Sequence, residues 1–385
     1  MFTNLPYTFG TAGLLIKWGT FKGGIIMKKK KLASLLGLSL ALVLGLSACG
    51  GSSSSGTSNQ AAGSGSSSAA ASASGGEKSS TPADAIVYKL GTTVNEQDSF
   101  QVAAEKFAEL VAEKTDGAYA IEIYPNSSLG DERTMLESMQ MGTLDMGIIT
   151  SGPFVNFVPE MGVLDMPFLF ANNDEAYKIL DGEIGQSLLD KFESVNLKGL
   201  AYAERGFRNL TNSVKPVNTP ADLNGLKIRV MENEVYISTF EALGVNAVPM
   251  AWTEALTALQ QNTINGQENP VNVIHSYKLW ESQKYLTMTR HAYASAIITM
   301  SLAKFKELPE DVQVAFKEAA QEAAEYERQW VADNEESQLA DIEANGMEIV
   351  KDPDVEAFRS AVQPVYDKYG DQYKEYIDAI NEALK

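Results

Sequence analysis

Few residues in this chain have the types and spacing that chemistry requires. There are two histidines, His275 and His291, and one cysteine, Cys49. No His-Glu-x-x-His occurs, so neither a multi-histidine metal centre nor a bound cofactor is expected. A Gly-x-Ser-x-Gly elbow, a phosphate loop and a dinucleotide fingerprint are also missing. Carboxylates are abundant, and Glu254 with Glu268 is the pair to weigh for glycoside hydrolysis. What stands out instead is an arginine inside a short apolar run, "GLKIRVMENE", which begins at Gly225. Leu226, Ile228 and Val230 alternate with Lys227 and Arg229, the period of a half-buried strand. One face packs inward, and Lys227 and Arg229 share the other. Taken alone, that second face is a solvated one.

The elements around this strand alternate in type. Strands are expected at Ile86–Leu90, Tyr119–Tyr124, Met146–Thr150, Gly199–Ala203, Lys227–Val230 and Ala247–Pro249. Between them the helical period predicts helices opened by Asp98 and running to Thr115, then over Asp131–Met141, Val235–Leu243 and Thr253–Gln261. Such alternation argues for an α/β architecture with a largely parallel sheet. From Pro309 the texture changes. Val312, Phe316, Ala319, Ala320, Ala323, Tyr326 and Trp330 keep a helical period, with no Gly or Pro until Gly346. A helix over Glu310–Ala344 would be about 50 Å long, enough to cross from one lobe to another. A coiled-coil stalk is the alternative, although alanine rather than leucine fills many apolar positions.

The N-terminus suggests where the protein works. Residues 1–26 read as upstream sequence, with Met27 as the start. Met27-Lys28-Lys29-Lys30-Lys31 is a basic segment, and the apolar run Leu32–Leu46 is short for a membrane span. Leu46-Ser47-Ala48-Cys49 then resembles a bacterial lipoprotein signal in which Cys49 becomes the lipidated first residue. Residues 27–48 are thus the expected signal peptide, and 49–83 the lipidated cysteine with a Ser/Gly/Ala tether. About 32 such residues have a root-mean-square reach of roughly 30 Å. Cleavage before Cys49 removes six lysines and no acid, leaving 25 basic against 50 acidic residues, a net charge of −25. That surface repels nucleic acid and anionic lipid, so neither is an expected partner.

The block Glu204–Arg290 contains "RGFRNLTNS", "DLNGLKIRVMENEVY", "ALGVNAVPMAWTEALTALQQNTINGQENPVNVI" and "KYLTMTRHAY". Together with "YPNSSLGDERTMLESMQMGTLDM" and "VPEMGVLDMPFLF" it closely resembles the DctP-type solute-binding subunits of tripartite ATP-independent periplasmic (TRAP) transporters. The likeness begins near Ala85 and covers most of the chain. It implies a two-lobed α/β fold of the periplasmic-binding-protein kind, with a long helix spanning both lobes. By resemblance, residues 84–205 and 294–334 form lobe I, and 206–293 and 335–385 form lobe II.

The resemblance also assigns roles. Arg229 matches the arginine that holds the solute carboxylate, and a planar guanidinium suits that task because it offers two parallel, charge-assisted hydrogen bonds. Lys227 is left to solvent. Arg208 matches a second arginine that supports or touches the ligand, and Asn269 an amide that hydrogen-bonds it. Trp252 stands where an aromatic either walls the pocket or stacks on a sugar. Glu132, Thr150 and Ser151 align with pocket positions, as do Asn95 and Arg133 more loosely, while Arg205 is left to cap a loop. An ionised Glu132 would repel a second ligand carboxylate and accept from hydroxyls, which favours a uronate or aldonate over a C4-dicarboxylate such as succinate. The expected protein catalyses nothing. It captures a small organic acid outside the cytoplasmic membrane and delivers it to the small and large membrane subunits of the transporter. A tethered enzyme acting on acidic sugars, or a binding protein of an ATP-driven importer, are the other readings.

Overall fold

The structure is a computed structural model in which residues 84–385 are described. The start at Met27, the signal peptide, Cys49 and the tether lie outside the described residues. Nine strands form one continuous sheet: β1 (Ile86–Gly91), β2 (Tyr119–Tyr124), β3 (Met146–Thr150), β4 (Leu197–Asn212), β5 (Lys227–Val230), β6 (Asn246–Pro249), β7 (Gly266–Asn269), β8 (Tyr285–Ser301) and β9 (Glu348–Val350). The order is β2-β1-β3-β8-β4-β7-β5-β6, with β9 also on β8.

This order makes two lobes. β2, β1 and β3 pair in parallel at one end, and β6, β5 and β7 do so at the other. The antiparallel strands β4 and β8 run through both ends and join them. The sheet is therefore mixed, not largely parallel as the alternation suggested, and β4 is far longer than Gly199–Ala203. The pairing of β4 with β8 slips at three places, including Glu204/Gly206 and Arg208/Leu210. Each slip bends and twists the ladder and re-aims side chains. Gly206 has φ +101°, a left-handed backbone that suits glycine at the bend.

Side chains at the helix starts fix where the helices begin. Asp98 accepts from Phe100 N–H at the start of helix Ser99–Lys114, and Asp131 accepts from Thr134 N–H at the start of helix Glu132–Gln140. Asn233 does the same for Val235 and Tyr236 in helix Glu234–Ala242. Each such cap contributes about 1 kcal/mol.

The long helix covers Glu310–Ala344, as its period and flanking Pro309 and Gly346 predict. Phe316, Ala319, Ala320, Ala323 and Ala324 sit in the core of the lobe built on β1–β3, against Ala103, Ala104 and Phe107. Small residues at the crossing let the two helices lie close together, which explains the alanines and excludes a stalk. Further along, Ile342 packs into the core around Trp252, Ala255 and Val271 of the other lobe. One helix thus serves both lobes. Among the described residues no helix is long and apolar enough to cross a membrane.

Candidate functional site

A narrow cavity lies between the lobes at the carboxyl ends of the strands, where open α/β sheets place their ligands. Thr93 follows β1, Glu132 follows β2, Pro153 and Asn156 follow β3, Met231 and Glu232 follow β5, and Met250 and Trp252 follow β6; all of them line the cavity, with Arg229 of β5.

Arg229 is 4 % exposed. Its Nε donates to the carbonyl of Met250 at 2.9 Å, and its guanidinium carbon is 5.6 Å from the centre of the Trp252 ring. Among the described residues its two terminal nitrogens donate to no protein acceptor, and no carboxylate lies within salt-bridge distance. Burial pulls its pKa down to about 10, against the attraction of Glu268 and with the repulsion of Arg208. A buried cation without a counter-ion is costly, and a cleft that presents two free, parallel N–H donors is built for an anion. Lys227, on the same face of β5, is exposed, because the strand runs from the solvent end of the sheet into the cleft. Lys227→Ala is accordingly expected to leave both ligand affinity and stability within about 0.5 kcal/mol of the wild type, measurable by calorimetry and urea unfolding.

Arg208, Arg205 and Arg133 are paired with carboxylates of the protein. Arg208 is 1 % exposed. Its Nε pairs with Glu268 Oε2, and its Nη2 donates to Glu268 Oε1 at 2.9 Å and to the Glu268 carbonyl at 2.6 Å. His291 adds its Nε2 to Glu268 Oε2 at 3.3 Å and meets Thr289 Oγ1 through Nδ1 at 2.8 Å. Burial would raise the Glu268 carboxyl, but Arg208 and His291 hold it down at about 2. Arg205 is buried in an ion pair with Asp98 at 2.6 Å and lies over the Phe100 ring. The bend in β4 therefore sends Arg205 to one lobe and Arg208 to the other. Arg133 also lines the cavity; it is exposed and pairs with Glu137 at 3.2 Å.

Glu132 sits at the first turn of its helix, where the free N–H groups favour an acid. Its Oε1 accepts the Thr150 N–H at 2.8 Å. Burial raises its carboxyl above the usual range, opposed by Thr150, Arg205 and Arg229. Thr150 thus acts through Glu132. Ser151 does not reach the cavity: its hydroxyl donates to Asp165 at 3.2 Å, and the expectation of a pocket role is corrected to a structural one. Asn95 is also used up locally, accepting from Gln97 N–H and donating to the Ser276 carbonyl at 3.0 Å. Asn269 gives its amide N–H to Gln267 Oε1. Trp252 walls the cavity with its indole N–H lacking an acceptor. Glu254 is exposed on helix Trp252–Gln260 while Glu268 is wholly enclosed by Arg208 and His291, so this acid pair has no shared cleft for glycoside hydrolysis. His275 is at the surface beside Asp341.

Contacts across the cleft tie the lobes together. Asn233 donates to the Gly152 carbonyl at 2.9 Å and to Asp165 at 2.7 Å. Asn156 donates to the Glu232 carbonyl at 2.9 Å, and Tyr277 to the Thr93 carbonyl at 3.2 Å. Thr93, Asn156 and Asn233 were not singled out by sequence, and Glu268 was weighed only as a glycosidase acid, not as the counter-ion of Arg208. The position of Thr93 and Asn156 just beyond strand ends was the available signal.

Residues 90–372 match the family model DctP, described as bacterial extracellular solute-binding protein, family 7. The chain is similar to the 2,3-diketo-L-gulonate-binding periplasmic protein YiaO of Escherichia coli, at 38% identity over 77% of this chain and 91% of that one. It is similar to a solved TRAP periplasmic solute-binding protein from a Polaromonas species bound to D-erythronate, at 40% identity and TM-score 0.75, covering 76% of this chain and 97% of the other. A sugar-acid-binding protein from Advenella mimigardefordensis in complex with galactonate is 33% identical with TM-score 0.75, over 78% and 98%.

Proposed function

From the chain's membership of family 7 of the bacterial extracellular solute-binding proteins, to which it belongs as a TRAP-transporter subunit, we propose that it captures a hydroxylated monocarboxylic acid, a uronate or an aldonate. One observation carries the reading: Arg229 is buried at the cleft with its terminal nitrogens free and no carboxylate of the protein to pair with. The ligand carboxylate supplies the missing charge. Trp252 and Met250 form the wall beside it, and the half-buried Glu132 accepts from hydroxyls at a position where a second carboxylate would be repelled. Three relatives that bind diketogulonate, erythronate and galactonate support this choice of acid.

Binding draws on both lobes, with residues 84–205 and 294–334 forming lobe I and 206–293 and 335–385 lobe II. A ligand that touches both lobes favours the closed form, and the closed form is what docks on the membrane subunits. The protein works outside the cytoplasmic membrane, tethered through lipidated Cys49, and returns its ligand unchanged.

A calorimetric panel of galacturonate, glucuronate, galactonate and succinate tests the ligand class. The hydroxylated acids are expected to bind at least ~10-fold more tightly than succinate. Tight succinate binding without uronate or aldonate binding overturns the assignment.

A further inference from the structure

Beside the cavity, a row of hydrogen bonds joins the segment that follows β1 to the helix Val271–Ser276, which follows β7. Val94 and Phe100 anchor the first segment in the core of one lobe, and Val271, Val273 and Ile274 anchor the second in the core of the other. Asn95 Nδ2 donates to the Ser276 carbonyl at 3.0 Å, and Asn272 Nδ2 to Ser99 Oγ at 3.2 Å. Ser276 Oγ donates to Asp98 Oδ2 at 3.4 Å, and the Tyr277 hydroxyl to the Thr93 carbonyl at 3.2 Å. All four bonds run between the lobes, so opening the cleft on this side breaks them.

Only the Tyr277 bond has cavity residues at both of its ends. Thr93, whose carbonyl accepts, lines the cavity. So does Trp252, against which the Tyr277 ring stands edge to face, with ring centres 5.1 Å apart and planes at 84°. Asn95, Asp98, Ser99, Asn272 and Ser276 do not line it. The Trp252 ring lies in turn 5.6 Å from the guanidinium carbon of Arg229. A series of contacts therefore runs from Arg229 through Trp252 and Tyr277 to the backbone of the opposite lobe. An edge-to-face pair favours a definite mutual orientation, so a ligand lying on Trp252 also steadies the Tyr277 hydroxyl. Burial pushes that hydroxyl up to about 12, and it stays a donor near neutral pH.

We propose that Tyr277 is a positioning residue that couples occupation of the Trp252 wall to closure of the lobes. Its ring is set by Trp252, and its hydroxyl fastens Thr93 on the other side of the cleft. This inference rests on the function proposed above, because it takes Arg229 and Trp252 as the wall that bears the ligand. The bond forms only in the closed protein. Its loss speeds reopening, and with it ligand release, while the encounter of ligand with the open form is unchanged.

Stopped-flow measurements with D-glucuronate compare wild type with Tyr277→Phe, which keeps the ring against Trp252 and removes only the hydroxyl. The variant is expected to release the ligand ~3–10-fold faster, the range for one neutral hydrogen bond, with association within about twofold of wild type. Its urea midpoint is expected to be unchanged, which a merely structural role would not allow. In a Trp252→Leu background the same substitution is expected to change release by about twofold or less, because the ring that transmits the contact is gone. Where Trp252→Leu abolishes binding, the comparison in the wild-type background decides alone. Release at the wild-type rate overturns the proposal, and so does an equal factor in both backgrounds. Faster release matched by a loss of urea stability, or a Tyr277→Phe variant that does not fold, makes the residue a core element and also overturns it. If succinate binds and D-glucuronate does not, the ligand class proposed above is wrong, and the same comparison with succinate decides the role of Tyr277. If neither acid binds, both proposals fall.

Discussion

Arg229→Ala is expected to weaken sugar-acid binding by ~100-fold or more, with the fold intact. A hydrogen bond to a charged group contributes about 1.5–3 kcal/mol, and each 1.4 kcal/mol is tenfold in affinity. Losing two such bonds from an otherwise unpaired guanidinium accounts for that factor. Arg229→Lys is expected to recover little, because an ammonium is a point charge that cannot present two parallel donors to a carboxylate. The ligand-free protein tells a second part of the story. Arg229 is buried, its pKa is pulled down to about 10, and it has no counter-ion of its own. Removing it relieves an electrostatic cost, so the empty variant is expected to unfold no earlier than the wild type. Calorimetry for affinity and urea unfolding for stability read the two effects separately. Affinity within threefold of wild type in the alanine variant would remove the basis of the proposed function.

Glu268→Ala has the opposite character, a large loss of stability. Arg208 is 1 % exposed and gives its Nε and Nη2 to Glu268, which His291 also reaches. Removing one partner of such an enclosed pair leaves an uncompensated buried charge, at a cost of about 3–5 kcal/mol. The pH dependence has a definite sign. Glu268 is held at about 2 in the folded protein, below its unfolded value. Its stabilisation is therefore fully present above about pH 4.3 and is lost as pH falls toward 2. Acid unfolding of the wild type in that window, and a flatter acid limb in the alanine variant, are the expected result. A variant as stable as wild type near neutral pH would contradict the account of Arg208.

The contrast between these two arginines shows what sequence made legible. Strands β1, β2, β3 and β5 were readable within a residue or so as short apolar runs, the long helix by its period between Pro309 and Gly346, and the helices that follow Asp98 and Asp131 by those capping aspartates. β4 was not. All sixteen of its residues are buried, among them Lys198, Glu204, Arg205, Arg208 and Asn209, so no alternation marks it. The polar side chains are inside because partners on other elements meet them: Asp98 for Arg205, and Glu268 for Arg208. Pairings of that kind join residues 60 or 107 positions apart and leave no local pattern. β8 was hidden for the same reason, being buried along nearly its whole length.

The site was legible in the same uneven way. Resemblance placed Arg229, Trp252 and Glu132 together, and all three line the cavity. It could not distinguish a side chain that faces the cavity from one that holds a neighbour in place. Thr150 holds Glu132, Ser151 holds Asp165, and Asn95 bridges to Ser276. That distinction depends on where each hydrogen bond goes, which only three-dimensional structure supplies.

A crystal structure of the protein grown with D-galacturonate tests the central claim most directly. The expected result is a carboxylate lying flat against the Arg229 guanidinium with two parallel hydrogen bonds, the sugar ring beside Trp252 and a hydroxyl donating to Glu132. A carboxylate bound to any other cation, or a ligand outside the cavity between the lobes, would contradict it.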